Sequence, residues 1–208
     1  MLSVLHGDCL PILKAMSDNQ FDIVITEPPY GRSIATLGHI RTGGSSFAKK
    51  SWDDHIPSRA MFDELRRVSR HQVIFGANYS AHLLPPSRCY LIWWKLAGLA
   101  VHNYSECELA WTSLDQHPMV FNSRWNGFVR DSKELRYPHP TQKPIAVIQF
   151  AIDAFTKVGD TILDPFLGTG TTAVAAHLMG RNCTGIEQDA EYVAMAVERI
   201  AKCIAGGE

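Results

Sequence analysis

The stretch Thr161-Ile162-Leu163-Asp164-Pro165-Phe166-Leu167-Gly168-Thr169-Gly170-Thr171-Thr172 decides the fold class. Its first three residues are a short apolar run bounded by turn signals, the pattern of a buried strand. From Thr171 a helical pattern runs to Met179, where Gly180 closes it. Between the two, Gly168 and Gly170 permit a sharp turn whose backbone can approach a ligand with no Cβ in the way. A strand at 183–186 then ends in Glu187, and a helix over 190–204 follows. An acid in that position can hold ribose hydroxyls, as in dinucleotide folds. A glycine pair by itself also fits an ordinary strand-to-helix turn, but Asp164 before it and Glu187 after it favour a ligand loop. The third glycine of a pyrophosphate fingerprint is missing and Asp164 would repel phosphate, so the loop suits a cation.

Working outward, short apolar runs alternate with helical patterns. Strands are expected at 3–5, 21–26, 73–75, 90–94, 107–112 and 119–121. Asp8 can cap a short helix over 9–16, and 58–69 repeats Met61, Phe62, Leu65 and Val68 at helical spacing. A short helix over 79–84 is ended by Pro85 and Pro86, and Pro144 suits the first turn of a helix reaching 155. The alternation predicts an α/β fold: a Rossmann-like, mostly parallel sheet with helices on both faces. One domain over 1–208 is expected, with a mobile loop at about 31–57 and a small target-recognition segment at about 97–140.

Composition narrows the class. The chain has 208 residues, 46% of them hydrophobic, and a net charge of −1. The longest apolar stretch, 89–101, is broken by Lys95 and is shorter than the roughly 18 to 20 residues a membrane span needs. The first eleven residues lack a basic region followed by an apolar core, so a cytoplasmic protein away from membranes is expected. Five scattered cysteines with no C-x-x-C pair argue against a disulfide framework or zinc site, and no metal is expected. Basic residues outnumber acidic ones before position 144 and the reverse holds after it. Arg32, Arg41, Lys49 and Lys50 lie in a Gly- and Ser-rich stretch with no acid. That stretch is either a solvated loop or a phosphate-contacting one.

Its position favours the second reading, because it directly follows Glu27-Pro28-Pro29-Tyr30 at the end of the 21–26 strand. Two prolines cannot continue a ladder. They force a turn that presents the Glu27 carboxylate and the Pro28 carbonyl where an exocyclic amine could dock. The motif resembles the Asp-Pro-Pro-Tyr signature of the β group of DNA amino-methyltransferases, in which this turn precedes the cofactor glycine loop. The resemblance also covers Gly7-Asp8-Cys9, His139-Pro140-Thr141-Gln142-Lys143-Pro144, the 164–172 loop and Glu187, nearly the whole chain. It implies the circularly permuted methyltransferase order and S-adenosylmethionine as cofactor. By resemblance Asp8, beside Cys9, contacts the cofactor's adenine, Asp164 its methionine amino group and Glu187 its ribose. Phe166, Gly168, Gly170, Thr171 and Thr172 belong to the same loop, and Thr141 and Lys143 face the methionine end. Read singly, Asp8 could be only a helix cap and Lys143 only a surface charge.

The implied activity is methylation of adenine N6 in a short site of double-stranded DNA, with the base flipped out. Glu27 and the Pro28 carbonyl would accept the two amine hydrogens, while Tyr30 stacks on the base. Serine in place of the acid would point to cytosine N4 instead. Cytosine N4 or RNA methylation, and binding without turnover, are the other readings. The family has Asp where this chain has Glu27, displacing the carboxylate by about one C–C bond, roughly 1.5 Å. The pocket has shifted to fit, or the residue was altered to slow the enzyme, or the chain is a non-catalytic relative. Arg124 and Arg130, with Trp125 between them, are further candidates for DNA contact, Trp125 entering a groove or simply packing. A homodimer is compatible with the family.

Overall fold

The computed structural model describes residues 1–37, 49–95, 105–125 and 134–206. In chain order the elements are β1 (Leu2–His6), α1 (Cys9–Lys14), β2 (Phe21–Thr26), α2 (Arg59–Val68), β3 (Ser69–Phe75), β4 (Tyr90–Trp94) and β5 (Cys107–Thr112). They continue with β6 (Met119–Asn122), α3 (Ile145–Phe155), β7 (Thr161–Asp164), α4 (Thr171–Leu178), β8 (Asn182–Glu187) and α5 (Ala190–Ile204). The strands form one sheet in the order β1-β8-β7-β2-β3-β5-β4-β6. β5 runs antiparallel to both its neighbours, and the other adjacent pairs are parallel. This is the expected mostly parallel α/β sheet, with the proline turn ahead of the glycine loop in the expected permuted order. β5 and β6, which fall in the 97–140 segment, are members of the same sheet.

Both faces of the sheet are covered, which is why its central strands read as continuous apolar runs rather than alternating ones. On β2, Ile23 and Ile25 join the core under α3, α4 and α5, while Val24 joins the core under α1 and α2. α2 shows how the covering helices are specified. Met61, Phe62, Leu65 and Val68 form its buried stripe, and Ser58 caps its first turn by accepting from the Met61 N–H.

Several boundaries differ from the sequence expectation. β3 begins at Ser69 rather than Val73, because Ser69 and His71 pair with Phe21 and Ile23 despite carrying no apolar signal. Pro144 is the residue before α3, extended at φ −62° and ψ 141°, not part of its first turn. The 79–84 region keeps only a 3-10 turn, Ala81–Leu83, and the irregular 31–57 region contains another, Ile34–Leu37. Trp125, considered as a groove-entering ring, is 9% exposed and packed in the core beside Trp93 and Leu91.

Candidate active site

The neighbouring parallel strands β1, β8, β7 and β2 all end on one edge of the sheet. Their ends deliver Asp8, Glu187, Asp164 and Glu27 in that order across the edge, the place where open α/β sheets bind ligands. A cleft of about 300 Å³ lies there. It is lined by all four residues of the Glu27-Pro28-Pro29-Tyr30 turn and by every expected cofactor residue except Gly170. Thus β2 and β7, which come from opposite ends of the sequence, bring the proline turn and the glycine loop into one cavity.

Gly170 has a different task. At φ +87° it closes the glycine loop, and a Cβ there would lie 3.2 Å from the Cα of Ala196. It lets α5 approach the loop and does not face the cleft. Gly168 does line the cleft, and its N–H donates to Glu187 Oε2 at 2.8 Å. Glu187 Oε1 accepts from the Asp189 N–H at 2.8 Å, so this acid shapes the loop in addition to lining the cavity. Asp8 likewise does both: it lines the cleft and caps α1, accepting from the Leu10 N–H at 3.0 Å.

Asp164 is 3% exposed. Burial pushes its carboxyl up to about 6, against the opposing hydrogen bonds from Thr172, Thr26 and the Phe166 N–H. The Thr26 hydroxyl donates to it at 2.6 Å. A buried carboxylate of this kind gains from a cation placed beside it. The segment leading to the Lys143 motif is pinned to the same loop by the fully buried Arg199. Its guanidinium donates to the Thr171 hydroxyl at 2.9 Å and to Glu134 at 3.0 Å, while Glu134 Oε2 accepts the Ile145 N–H at the start of α3. Gln142 braces this segment by donating to Glu134 and to the Leu135 carbonyl.

Lys143 is where expectation and structure part. It lines the cleft, but its ammonium reaches the proline turn: Nζ donates to Glu27 Oε1 at 2.6 Å and also to Glu108 Oε2. Glu108 in turn pairs with Lys95 through its other oxygen. Glu108 and Lys95 come from β5 and the residue following β4, and neither was visible as a site residue, since their meeting depends on the antiparallel β4–β5 register. These lysines hold the Glu108 carboxyl down at about 2 despite its burial. Burial raises Glu27, and the neighbouring Lys143 opposes that rise.

Tyr30 was expected to stack on a target base. Its ring lies on Tyr79, with centroids 4.6 Å apart, and its hydroxyl donates to Glu27 Oε1. Asp53, missed by sequence reading, is 2% exposed, lines the cleft and fixes this turn. Its two carboxylate oxygens accept the N–H groups of Tyr30 at 2.8 Å and Ile34 at 3.0 Å. A second missed group is an aromatic wall of the cleft. The imidazole of His139 stacks on Trp52 at 5.3 Å and meets Tyr192 at 4.6 Å. Burial pushes His139 down to about 4, and its Nδ1 accepts the Thr141 N–H at 3.2 Å, so the ring is neutral.

Of the expected DNA-contacting residues, Arg32, Lys49 and Arg124 are exposed, Arg32 lying over the Tyr79 ring. Lys50 is otherwise engaged. Its ammonium sits 2.5 Å from Asp189 and 2.7 Å from Glu191 at the start of α5, and over the Tyr192 ring. Arg41 and Arg130 lie outside the described residues.

A cleft at the strand ends, a glycine loop that begins at Asp164 and is held by Glu187, and a proline turn carrying a carboxylate belong to an α/β protein of the methyltransferase fold. The family model for N6 and N4 amino-methyltransferases, described as DNA methylase, matches residues 93–198, half of the chain, and this protein belongs to that family. The type II methyltransferase M2.LlaDCHI of Lactococcus lactis subsp. cremoris is 26% identical over 243 residues, covering 96% of this chain and 89% of that protein. The solved complex of M1.HpyAVI with S-adenosylmethionine shares the fold at a TM-score of 0.61 and 22% identity, covering 96% of this chain and 99% of that one. The cytosine-N4-specific PvuII DNA methyltransferase does so at 0.64 and 16%, covering 100% and 93%.

Proposed function

We propose that this DNA methylase transfers a methyl group from S-adenosylmethionine to the N6 amine of adenine in a short site of double-stranded DNA. The observation that carries this reading is the placement of Glu27. Its carboxylate stands at the end of β2 in the same cleft as the glycine loop, with Oε1 held by Lys143 and Tyr30. Among the described residues Oε2 has no hydrogen-bond partner, so it can accept an amine hydrogen. The Pro28 carbonyl offers the second acceptor of the turn. Together they draw the amine nitrogen away from conjugation with its ring and orient its lone pair, and orientation supplies much of the acceleration in such transfers.

The residues present suit this cofactor. Asp164 offers a buried carboxylate to an ammonium group, Asp8 and Glu187 offer acceptors for a nucleoside, and Trp52, His139 and Tyr192 give an aromatic wall for a purine. When bound, the cofactor supplies a methyl group on a sulfonium. Glu27, next to the amine, is the nearest acceptor for the proton the amine releases. The target base leaves the duplex to reach the cleft.

The test is transfer of tritiated methyl from S-adenosylmethionine to duplexes, followed by digestion to nucleosides. Label in N6-methyladenine is expected. Label in N4-methylcytosine would assign the other amine, and label only in transcripts would assign RNA.

A further inference from the structure

We propose that Lys143, braced by Glu108 and Lys95, is a positioning residue that fits this acceptor site to a glutamate, so that Glu27 is the working residue of an adapted pocket. The inference rests on the amine-acceptor reading of Glu27 above. Four charges alternate in a line from the β4 end to the catalytic turn: Lys95, Glu108, Lys143 and Glu27. Lys143 is 6% exposed and Glu108 17%, so the line is largely withdrawn from water. Two cations and two anions leave it neutral. A buried charge lacking its partner is strongly unfavourable, so each member fixes the next, and the last in the line is the acceptor carboxylate.

The geometry assigns the two oxygens of Glu27 different tasks. Oε1 takes both the Lys143 ammonium at 2.6 Å and the Tyr30 hydroxyl. Oε2 remains for the cleft. A glutamate has one more rotatable bond than an aspartate and would otherwise wander. Anchoring one oxygen from the side removes that freedom and sets the other oxygen's position. Shortening the arm by one methylene, roughly 1.5 Å, would carry the carboxylate from hydrogen-bond distance of Lys143 to beyond it. The longer residue and the lysine therefore form one unit.

Among the described residues, the charged and titratable groups acting on Glu27 include Lys143, Glu108, Tyr30 and Asp164, with Lys95 behind Glu108. Removing the Lys143 cation disfavours ionised Glu27, whereas removing the Glu108 anion favours it. Lys143→Met and Glu108→Gln should thus move Glu27 in opposite directions. General loosening of the fold would not produce opposite signs.

The experiment measures kcat against pH for methyl transfer in wild type, Lys143→Met, Glu108→Gln and Glu27→Asp. Carbon-13 titration of the Glu27 carboxylate runs in parallel on the protein alone. Lys143→Met is expected to raise the acid limb and the carboxylate titration by about one pH unit or more, with kcat down and KM for DNA little changed. Glu108→Gln is expected to lower both. Glu27→Asp is expected to lose about 10²-fold in kcat, the usual cost of an ångström-scale misplacement. Glu27→Asp as fast as wild type or faster overturns the proposal, as does a titration of Glu27 unmoved by either partner substitution. If Lys143→Met does not fold, the sign of the Glu108→Gln shift decides. A wild type that labels no nucleic acid defeats the methylation reading, and the carboxylate titrations still decide this one.

Discussion

The hydroxyl of Thr26, the last residue of β2, lies 2.6 Å from Asp164 Oδ1 at the end of β7 and donates to it, 138 residues away in sequence. This bond adds to the β2–β7 pairing and ties the strand that ends at Glu27 to the strand that leads into the glycine loop. Both groups are buried, so the bond is poorly replaced by water. Thr26→Val keeps the shape and removes the donor, leaving Asp164 with one fewer hydrogen bond. A hydrogen bond to a charged group contributes about 1.5–3 kcal/mol, and a stability loss of that order is expected in urea unfolding. Calorimetric titration should show S-adenosylmethionine affinity falling in step; unchanged affinity would separate Asp164 from the cofactor.

Cofactor affinity should depend on pH through Asp164. Its carboxyl is raised to about 6 by burial, above the ordinary carboxylate value of 3.8. Because the folded-state value is the higher one, its contribution to stability is fully present below about 3.8 and is lost as pH rises through about 6. A cationic ligand binds the ionised form, so it works against that loss. Affinity is therefore expected to rise with pH up to about 6 and level off above it. Asp164→Asn should flatten the curve at the weaker value. His139, pushed down to about 4, stays neutral over the pH range in which this is measured. A pH dependence that persists in Asp164→Asn would assign it elsewhere.

The acids of the site were legible because each ends a strand or lies just beyond one. An apolar run that stops at Glu27, Asp164 or Glu187 places its side chain at a sheet edge whatever the strand order, and Asp8 sits one glycine beyond β1. What could not be read was how long side chains cross between strands. Lys143 reads as part of a cofactor motif, yet its ammonium meets Glu108 on β5, which Lys95 also reaches through the antiparallel β4–β5 pairing. Gly170 reads as a ligand glycine, but α5 occupies its open side. Asp53 lies in a stretch without periodicity, and no local signal marks its grip on the Tyr30 N–H. Composition suggested four equivalent basic residues in the loop, and contact with α5 distinguishes Lys50 from Arg32 and Lys49.

That distinction gives a salt-dependence prediction. Each lysine or arginine that neutralises a phosphate contributes about one to the slope of log affinity against log salt. Arg32 and Lys49 are exposed and can make such contacts, so substituting either by Ala should reduce the slope by about one. Lys50 already faces Asp189 and Glu191. Lys50→Ala should leave the DNA slope unchanged and speed release of S-adenosylmethionine, because the tie between the 49–53 segment and α5 beside the cleft is gone. Filter binding over a salt series reads the first effect and stopped-flow fluorescence the second. A slope reduced by Lys50→Ala would put this lysine on DNA.

Gly76 follows β3 at φ +68°, and a Cβ on it would lie 1.9 Å from the ring of Tyr30. That ring is held on its Tyr79 side by stacking and at its hydroxyl by Glu27, so it has no easy direction of retreat. Gly76→Ala adds a left-handed backbone cost of about 1–2 kcal/mol to this clash. The substitution is expected to lower stability by more than that cost and to reduce kcat by about tenfold or more, since Tyr30 shares Oε1 of Glu27 with Lys143. Affinity for S-adenosylmethionine should hold, because the atoms nearest a Cβ on Gly76 all belong to Tyr30. A double-mutant cycle isolates the cause: with Tyr30→Ala in place the ring is absent, and Gly76→Ala should then cost only the backbone term. An equal penalty in both backgrounds would show that Gly76 is required by its φ angle alone, with no part in seating Tyr30.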